Sequence, residues 1–371
     1  MDGLVNKPNI EFYATFASQT FRDTAAQENQ EDYLNIQTPF TAPVVEQLAV
    51  RVVVDSHYER FLPKADHSVV NIEHVGSIPG RQMTTLAGEW GLALHLESVS
   101  EGARAQYLLD FGYTPEILNR NFSLLDIEPG QINGLILSHG HRDHYGGLGG
   151  FVTHNRAVMR DDVSLFVGAD EAFDIRWVKS KVPGQPDADP EFVCWGAPDR
   201  TLLKAQKIIP VCCETPNALE GAFTTGYITR DTFEEVTGGS LVEPAGHFSE
   251  AELSGVLQED SHPEEHATCY IVKGRGLVVI SSCGHAGIIN SIKTAMTVSG
   301  IDKLHGVVGG FHLGTATPEY ISHTVDELER LDPDVVIPMH CTGMNFIAAM
   351  HERMPDRLVT SNVGSRFTFG I

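Results

Sequence analysis

The sequence predicts an α/β protein: two sheets packed as a pseudo-duplicated sandwich, with helices outside. Three observations predict it. Each half of the chain is strand-rich first and helical afterwards. Short apolar runs bounded by Gly, Pro and Asp recur through both halves. Several of these runs stop at a His, Cys or Asp, as parallel strands do when their carboxyl ends converge on one site.

The 371 residues could hold one large domain or two average ones, and an apolar fraction of 42% with 35 glycines suits a globular α/β chain. Acidic residues outnumber basic ones 49 to 26, a net charge of −23. That balance opposes binding to nucleic acid or to an anionic membrane and leaves a small molecule as the expected partner. No apolar window reaches transmembrane length, and the opening Met1-Asp-Gly-Leu-Val-Asn-Lys7 lacks the apolar core of a signal peptide. These features point to the cytoplasm, although a trimmed start would leave export open. Six cysteines without a Cys-x-x-Cys pair read as free thiols in a reducing compartment, those at 194, 212, 213 and 269 as packed ones.

Residues 1–45 are polar and aperiodic and are expected to be an N-terminal arm, packed on the body or on a neighbouring subunit of a homo-oligomer. The domain proper is then 46–371. Leu48–Val54 is a strand ended by Asp55, and a polar stretch with Pro63 and Pro79 follows as a candidate flap. Gly91–Leu96 and Tyr107–Gly112 are strands, Thr114–Leu125 has helical spacing, and Leu135–Leu137 is a strand. The middle is less regular. Val163–Val167 reads as a strand, Glu171–Val182 as a short helix, and Pro183–Pro198 as a loop. Ile208–Cys213 and Ala222–Ile228 read as a hairpin, and Gly238–Glu265 as a mobile loop. Regularity then returns, with paired strands at Ala267–Val272 and Leu277–Ser282 and a strand at Gly306–Gly310. Helices are expected near Gly287–Val298, Pro318–Leu331 and Gly343–Met350, the last after a strand at Val335–Pro338.

The densest chemistry follows the strand at Leu135. Within six residues come His139, His141, Asp143 and His144, then Gly146-Gly147. In an extended segment His139 and His141 point the same way, and the glycines permit the turn that must follow. One pair could then hold one metal while the other faces a second. Imidazole with carboxylate suits zinc, iron or manganese better than calcium. Three later strands also end in metal-capable groups: Cys283 and His285, then His312, then His340 and Cys341.

His139-x-His141-x-Asp143-His144 followed by Gly146-Gly-Leu148 resembles the signature of the metallo-β-lactamase superfamily. The resemblance implies a four-layer αββα sandwich. Ser282-Cys-Gly-His285-Ala-Gly-Ile-Ile-Asn290, Gly309-Gly-Phe-His312-Leu, His340-Cys-Thr-Gly343, Gly226-Tyr-Ile-Thr-Arg230 and Glu89-Trp-Gly-Leu92 narrow it. They are similar to the branch named for dihydropterin ribofuranosylaminobenzene 5′-phosphate synthase. Many superfamily members bridge their metals with an Asp where this chain has Cys283 and His285. The usual third histidine of the first site has no clean match, and His247, His266 and His285 compete for it.

A binuclear hydrolase needs two ions about 3.5–4 Å apart sharing a water of lowered pKa, with about three protein ligands per ion. His139 and His141 serve the first ion, and Asp143 and His144 the second, which His340 completes. Cys283 or His285 bridges or supplies a third ligand. Two zinc ions are expected, with iron or manganese as substitutes. Asp143 and His312 are the candidates for a catalytic role, though His312 could equally be a hydrogen-bonded core residue. Asp110, His266, Cys341 and Thr342 are candidates to orient ligands or line the substrate site. Arg230 could meet a phosphate or carboxylate, or only a surface ion pair. His262-Pro-Glu-Glu-His266 superficially resembles a zinc-protease His-Glu-x-x-His, but its proline argues for an acidic loop.

The function these residues favour is hydrolysis of an ester, lactone, amide or phosphoester by a metal-bridging hydroxide. Transfer chemistry on a phosphorylated pterin-like substrate is the alternative implied by the branch resemblance. An iron oxidoreductase on the same scaffold and a non-enzymatic binding protein are the remaining alternatives.

Overall fold

Strand faces alternate between two apolar environments, and that alternation builds the layers. In the computed structural model, which describes residues 40–62, 65–75, 78, 80, 84–180, 191–236, 239–243 and 257–370, three sheets form. The expected arm up to residue 39, Pro63, Pro79 and His247 lie outside these residues.

The first sheet runs, in spatial order, Ile209–Cys212 (β10), Ser164–Val167 (β7), Gly134–Leu137 (β6), Ala103–Leu109 (β5), Ala93–Ser100 (β4), Gln47–Val54 (β2), Arg366–Phe369 (β19) and Val70–Glu73 (β3). The second runs Asn217–Ala218 (β11), Phe223–Thr224 (β12), Thr268–Val272 (β15), Gly276–Ser281 (β16), Leu304–Gly309 (β17) and Val335–Pro338 (β18), with Val44–Val45 (β1) beside β15. A third, smaller sheet joins Gln258–Glu259 (β14), Ser240–Val242 (β13), Arg176–Ser180 (β8) and Glu191–Gly196 (β9).

Val50, Leu94, Tyr107 and Ile136 of the first sheet meet Tyr270, Val278, Val308 and Ile337 of the second in one buried cluster. The opposite faces are covered by helices. Leu108, Leu135 and Leu137 pack on Pro115–Leu124 (α1) and Leu148–Asn155 (α3), which flank the short helix Arg142–Tyr145 (α2). Val279, Val307 and Val336 pack on Ile288–Ser299 (α5), Pro318–Leu331 (α6) and Met344–Arg353 (α7), the numbering allowing for Arg200–Ala205 (α4). This is the αββα sandwich, each layer boundary a period-two strand pattern.

Four expectations in the middle of the chain change. Residues 176–180 are strand β8, not helix, because Val178 and its neighbours pair with β9 and β13. Residues 191–196, expected as loop, are β9. β10 pairs in parallel with β7, while β11 and β12 form the local hairpin. The stretch expected as a mobile loop contributes β13 and β14, and residues 260, 262 and 264–266 are buried. Among the cysteines, Cys213 and Cys269 are buried as expected, but Cys194 and Cys212 are exposed. No helix among the described residues is long and apolar enough to cross a membrane.

Candidate metal centre

The carboxyl ends of β2, β5, β6, β16, β17 and β18 deliver Asp55, Asp110, His139, Cys283, His312 and His340 respectively. β5 and β6 are parallel, as are β16, β17 and β18, so side chains distant in sequence meet where these strands stop. The result is a continuous field of imidazoles. The His139 ring centroid lies 4.2 Å from His144, 4.8 Å from His141 and 4.9 Å from His285. His144 lies 4.9 Å from His340, and His262 stacks on His285 at 4.1 Å.

Carboxylates fix which ring nitrogen faces inward. His144 Nδ1 is 2.7 Å from Asp110 Oδ2, so its N–H donates there and Nε2 keeps the lone pair. Ser138 Oγ donates to the same Asp110 oxygen at 2.7 Å and lies 2.9 Å from His139 Nδ1. Across the cluster the arrangement repeats with other residues. His141 Nε2 is 2.9 Å from Ser240 Oγ, which donates to Asp260 Oδ2 at 3.2 Å. Asp260 is held by the wholly buried Arg176, whose Nε donates to Oδ2 at 2.7 Å and whose Nη2 donates to Glu264 Oε1 at 2.5 Å. Glu264 accepts the Gly140 N–H at 3.1 Å. A Cβ at Gly140 would sit 2.1 Å from Arg176 Nη1, so only glycine lets the histidine turn lie against this cation.

On the other sheet, Glu265 accepts N–H groups of Gly284, His285 and Ala286 at 2.8, 2.9 and 2.5 Å and so shapes the turn that presents Cys283 and His285. Asp55 Oδ1 accepts the His340 N–H at 3.1 Å. Four non-glycine residues with positive φ stand here: Asp110 (59°), His262 (48°), His312 (47°) and His340 (53°). Such strain persists where surrounding contacts over-determine it, and it concentrates at functional sites.

His139 Nε2, His144 Nε2 and Asp143 Oδ1 are buried and have no hydrogen-bond partner, which is costly for a protein site unless an ion takes the lone pairs. Ligand atoms of His139, Cys283 and His285 lie within 4.8 Å of one another, as do those of His141, His262 and His285, and those of His144, Cys283 and His340. Asp143 Oδ2 is 3.5 Å from His340 Nε2. Burial, then the neighbouring imidazoles, hold His139, His141 and His262 well below the usual histidine range, so all three present neutral rings. Burial alone would raise the Asp143 carboxyl, but His144 and His340 keep it low and ionised. Burial pulls His340 down, yet Cys341 and Asp143 carry it up to about 9. The donor set fits divalent metal ions of the zinc, iron or manganese kind.

One expectation is corrected by this geometry: His262, set aside within an acidic loop, is buried in the cluster, 4.7 Å ring to ring from His141. His266 turns away and places Nε2 3.0 Å from the Leu137 carbonyl. His312 puts Nδ1 3.3 Å from Cys283 Sγ, and its ring lies 4.2 Å from His285. Thr342 Oγ1 accepts the Phe311 N–H at 3.0 Å and so orients the turn, with Cys341 next to it. Arg230 spends Nη2 on the carbonyls of Ser261 and His262, at 2.5 and 2.9 Å, rather than on a surface carboxylate. Sequence reading also missed Asp55, Arg176, Ser240, Asp260, Glu264 and Glu265. Paired acids beside two histidines in 259–266 were the available signal. Trp90, half exposed, lies 5.0 Å ring to ring from His340, and Trp195 lies 5.4 Å from His141.

Residues 101–160, which contain the His139–His144 motif, match the family model of the metallo-beta-lactamase superfamily. The fold is that of the metallo-β-lactamases. A solved metal-dependent hydrolase of the β-lactamase superfamily superposes with a TM-score of 0.61, covering 86% of this chain and 98% of that one at 20% identity. Among curated relatives, the chain is 28% identical over 288 residues to the 7,8-dihydropterin-6-methyl-4-(beta-D-ribofuranosyl)-aminobenzene-5′-phosphate synthase of Methanocaldococcus jannaschii, covering 73% of this chain and 90% of that protein. An uncharacterised protein of the same organism is 25% identical over 248 residues, 66% of this chain and 82% of its own length. Where the resemblance implied a bridging Asp, the chain carries Cys283, two residues past the end of β16.

Proposed function

We propose that this chain is a binuclear metal-dependent hydrolase. The observation that carries the reading is the set of buried, unpartnered donor atoms, His139 Nε2, His144 Nε2 and Asp143 Oδ1, held by carboxylate relays that fix their tautomers. His139, His141, His262 and His285 would supply the ligands of one ion, and Asp143, His144 and His340 those of the other, with Cys283 within reach of both groups. Bound there, two divalent ions, zinc first among them, would acidify a water and polarise the electrophilic oxygen of an ester, lactone, amide or phosphoester. Asp110 and Asp260 keep the ligand nitrogens aimed. Asp143 Oδ1 would serve as a ligand of the second ion and orient the water beside it. Trp90 beside His340 and Trp195 beside His141 would offer apolar surface to a ring-bearing substrate.

Metal analysis of the purified protein, joined to a panel of lactones, phosphodiesters and aryl esters, tests this. At least two ions per chain and turnover abolished by a chelator and restored by zinc are expected. Loaded protein inert toward the whole panel would sink hydrolysis. A second reading, synthesis on a phosphorylated pterin-like substrate, is favoured by the similarity to the archaeal synthase over 90% of that protein. Conversion of the synthase's substrates by protein that ignores the ester panel would select it.

A further inference from the structure

A second group of ligating atoms lies beside the histidines. Cys283 Sγ is 3.2 Å from Cys341 Sγ and 3.3 Å from His312 Nδ1, and all three atoms lie within 4.8 Å of one another. Cys283 and Cys341 are buried. Three strand ends, those of β16, β17 and β18, supply one ligand each. Their loops are tied together where the Phe311 N–H donates to Thr342 Oγ1 at 3.0 Å and the His312 N–H to Cys341 Sγ at 3.3 Å. A Cβ at Gly310 would lie 2.9 Å from Cys341 Sγ, so the glycine makes room for the sulfur. His312 takes a positive φ of 47° to bring its ring to the thiol.

We propose that Cys283, His312 and Cys341 form a thiophilic metal position of their own, contiguous with the histidine centre and sharing Cys283 with it. A tetrahedral zinc with Zn–S of about 2.3 Å and Zn–N of about 2.0 Å needs separations of roughly 3.8 Å between sulfurs and roughly 3.5 Å between sulfur and nitrogen. From Cys283 Sγ, the separation to Cys341 Sγ therefore has to open by about 0.6 Å and that to His312 Nδ1 by about 0.2 Å. Two thiols and an imidazole select zinc, cadmium or copper(I) over magnesium, calcium or manganese, whereas the His/Asp centre discriminates less. Three ligands leave a fourth position for water or an added donor. Occupation would place a cation at the edge of the histidine centre, next to His285.

The full-length protein, reduced and stripped with a chelator, is titrated with 113Cd2+ and followed by cadmium NMR and equilibrium dialysis. The expected result is one ion beyond those the histidine centre holds, with a resonance shifted downfield as two-sulfur coordination requires. Cys341→Ser and His312→Asn should each lose that resonance and that ion while nitrogen- and oxygen-ligated signals remain. His312→Asn keeps both thiols, so it reads the site even where Cys341→Ser fails to fold. Persistence of the signal in His139→Ala supports a position separate from the histidine centre. Absence of a two-sulfur resonance in the unaltered protein, its survival in Cys341→Ser, or its loss in His139→Ala overturns the proposal. Catalytic failure with the two-sulfur signal intact would count against hydrolysis alone.

Discussion

The two sides of the histidine cluster solve one problem with different materials. On the His139–His144 side, a single aspartate at the end of β5 orients both rings, directly and through Ser138. On the His141–His262 side, Ser240 and Asp260 do the same work, but their aspartate is anchored by a buried cation, Arg176, shared with Glu264. The first device belongs to the core sheets. The second is built from the third sheet, since Arg176 starts β8 and Ser240 starts β13. A ligand set can thus be half intrinsic to the sandwich and half dependent on an added layer, and the two halves should fail differently.

Removing a ligand gives the largest effect. His262→Ala and His144→Ala should each weaken metal binding by more than the roughly 10–100-fold that loss of an orienting partner produces. Competitive chelator titration measures it, and unaltered affinity in His262→Ala would remove that residue from the set. Arg176→Met comes next. It leaves Asp260 and Glu264 buried without their cation, a loss of about 3–5 kcal/mol in stability, readable by denaturant unfolding. Asp110→Asn should instead lower metal affinity by about 10–100-fold with a smaller change in stability. Equal stability losses in the two variants would erase the contrast between the sides.

Stripped of metal, two sets of histidines that cut across these sides should respond to pH in opposite senses. His139, His141 and His262 have depressed folded pKa values, so below about 6.5 the unfolded chain binds protons that the folded chain refuses. Stability is therefore lost as pH falls below that value, by about 1.4 kcal/mol per pH unit for each proton. His340, raised to about 9, contributes stability that is present below about 6.5 and is lost as pH rises towards 9. Thermal melts of chelator-treated protein from pH 5 to 9 should show a maximum between these limits. A monotonic rise would remove His340 from the account. The smallest effect is expected of Ser240→Ala, which breaks the hydroxyl link between His141 and Asp260 and should cost about 1 kcal/mol, seen as a modest fall in metal affinity.

How much of this could be read in advance divides along the same line. His139, His141, Asp143 and His144 are adjacent in sequence and follow an apolar strand, so their proximity is covalently given. Asp110 and the C-terminal Cys and His residues were legible because each follows a strand, and parallel strands bring like ends together. The helix at Pro318–Leu331 was legible to its boundaries, since Thr317 caps it and Pro318 opens it. His262 was not, because the ring it packs against, His141, lies 121 residues away, and the neighbouring Asp260 is held by Arg176 and Ser240 in short strands that tertiary pairing alone creates. Sequence by itself determined the sandwich and the richest ligand motif, because strand periodicity and local spacing are properties of neighbouring residues. Which histidine completes the cluster, and the meeting of Cys283, His312 and Cys341, were decided by the tertiary structure. His144 faces Nε2 inward because Asp110, 34 residues away, has claimed its Nδ1.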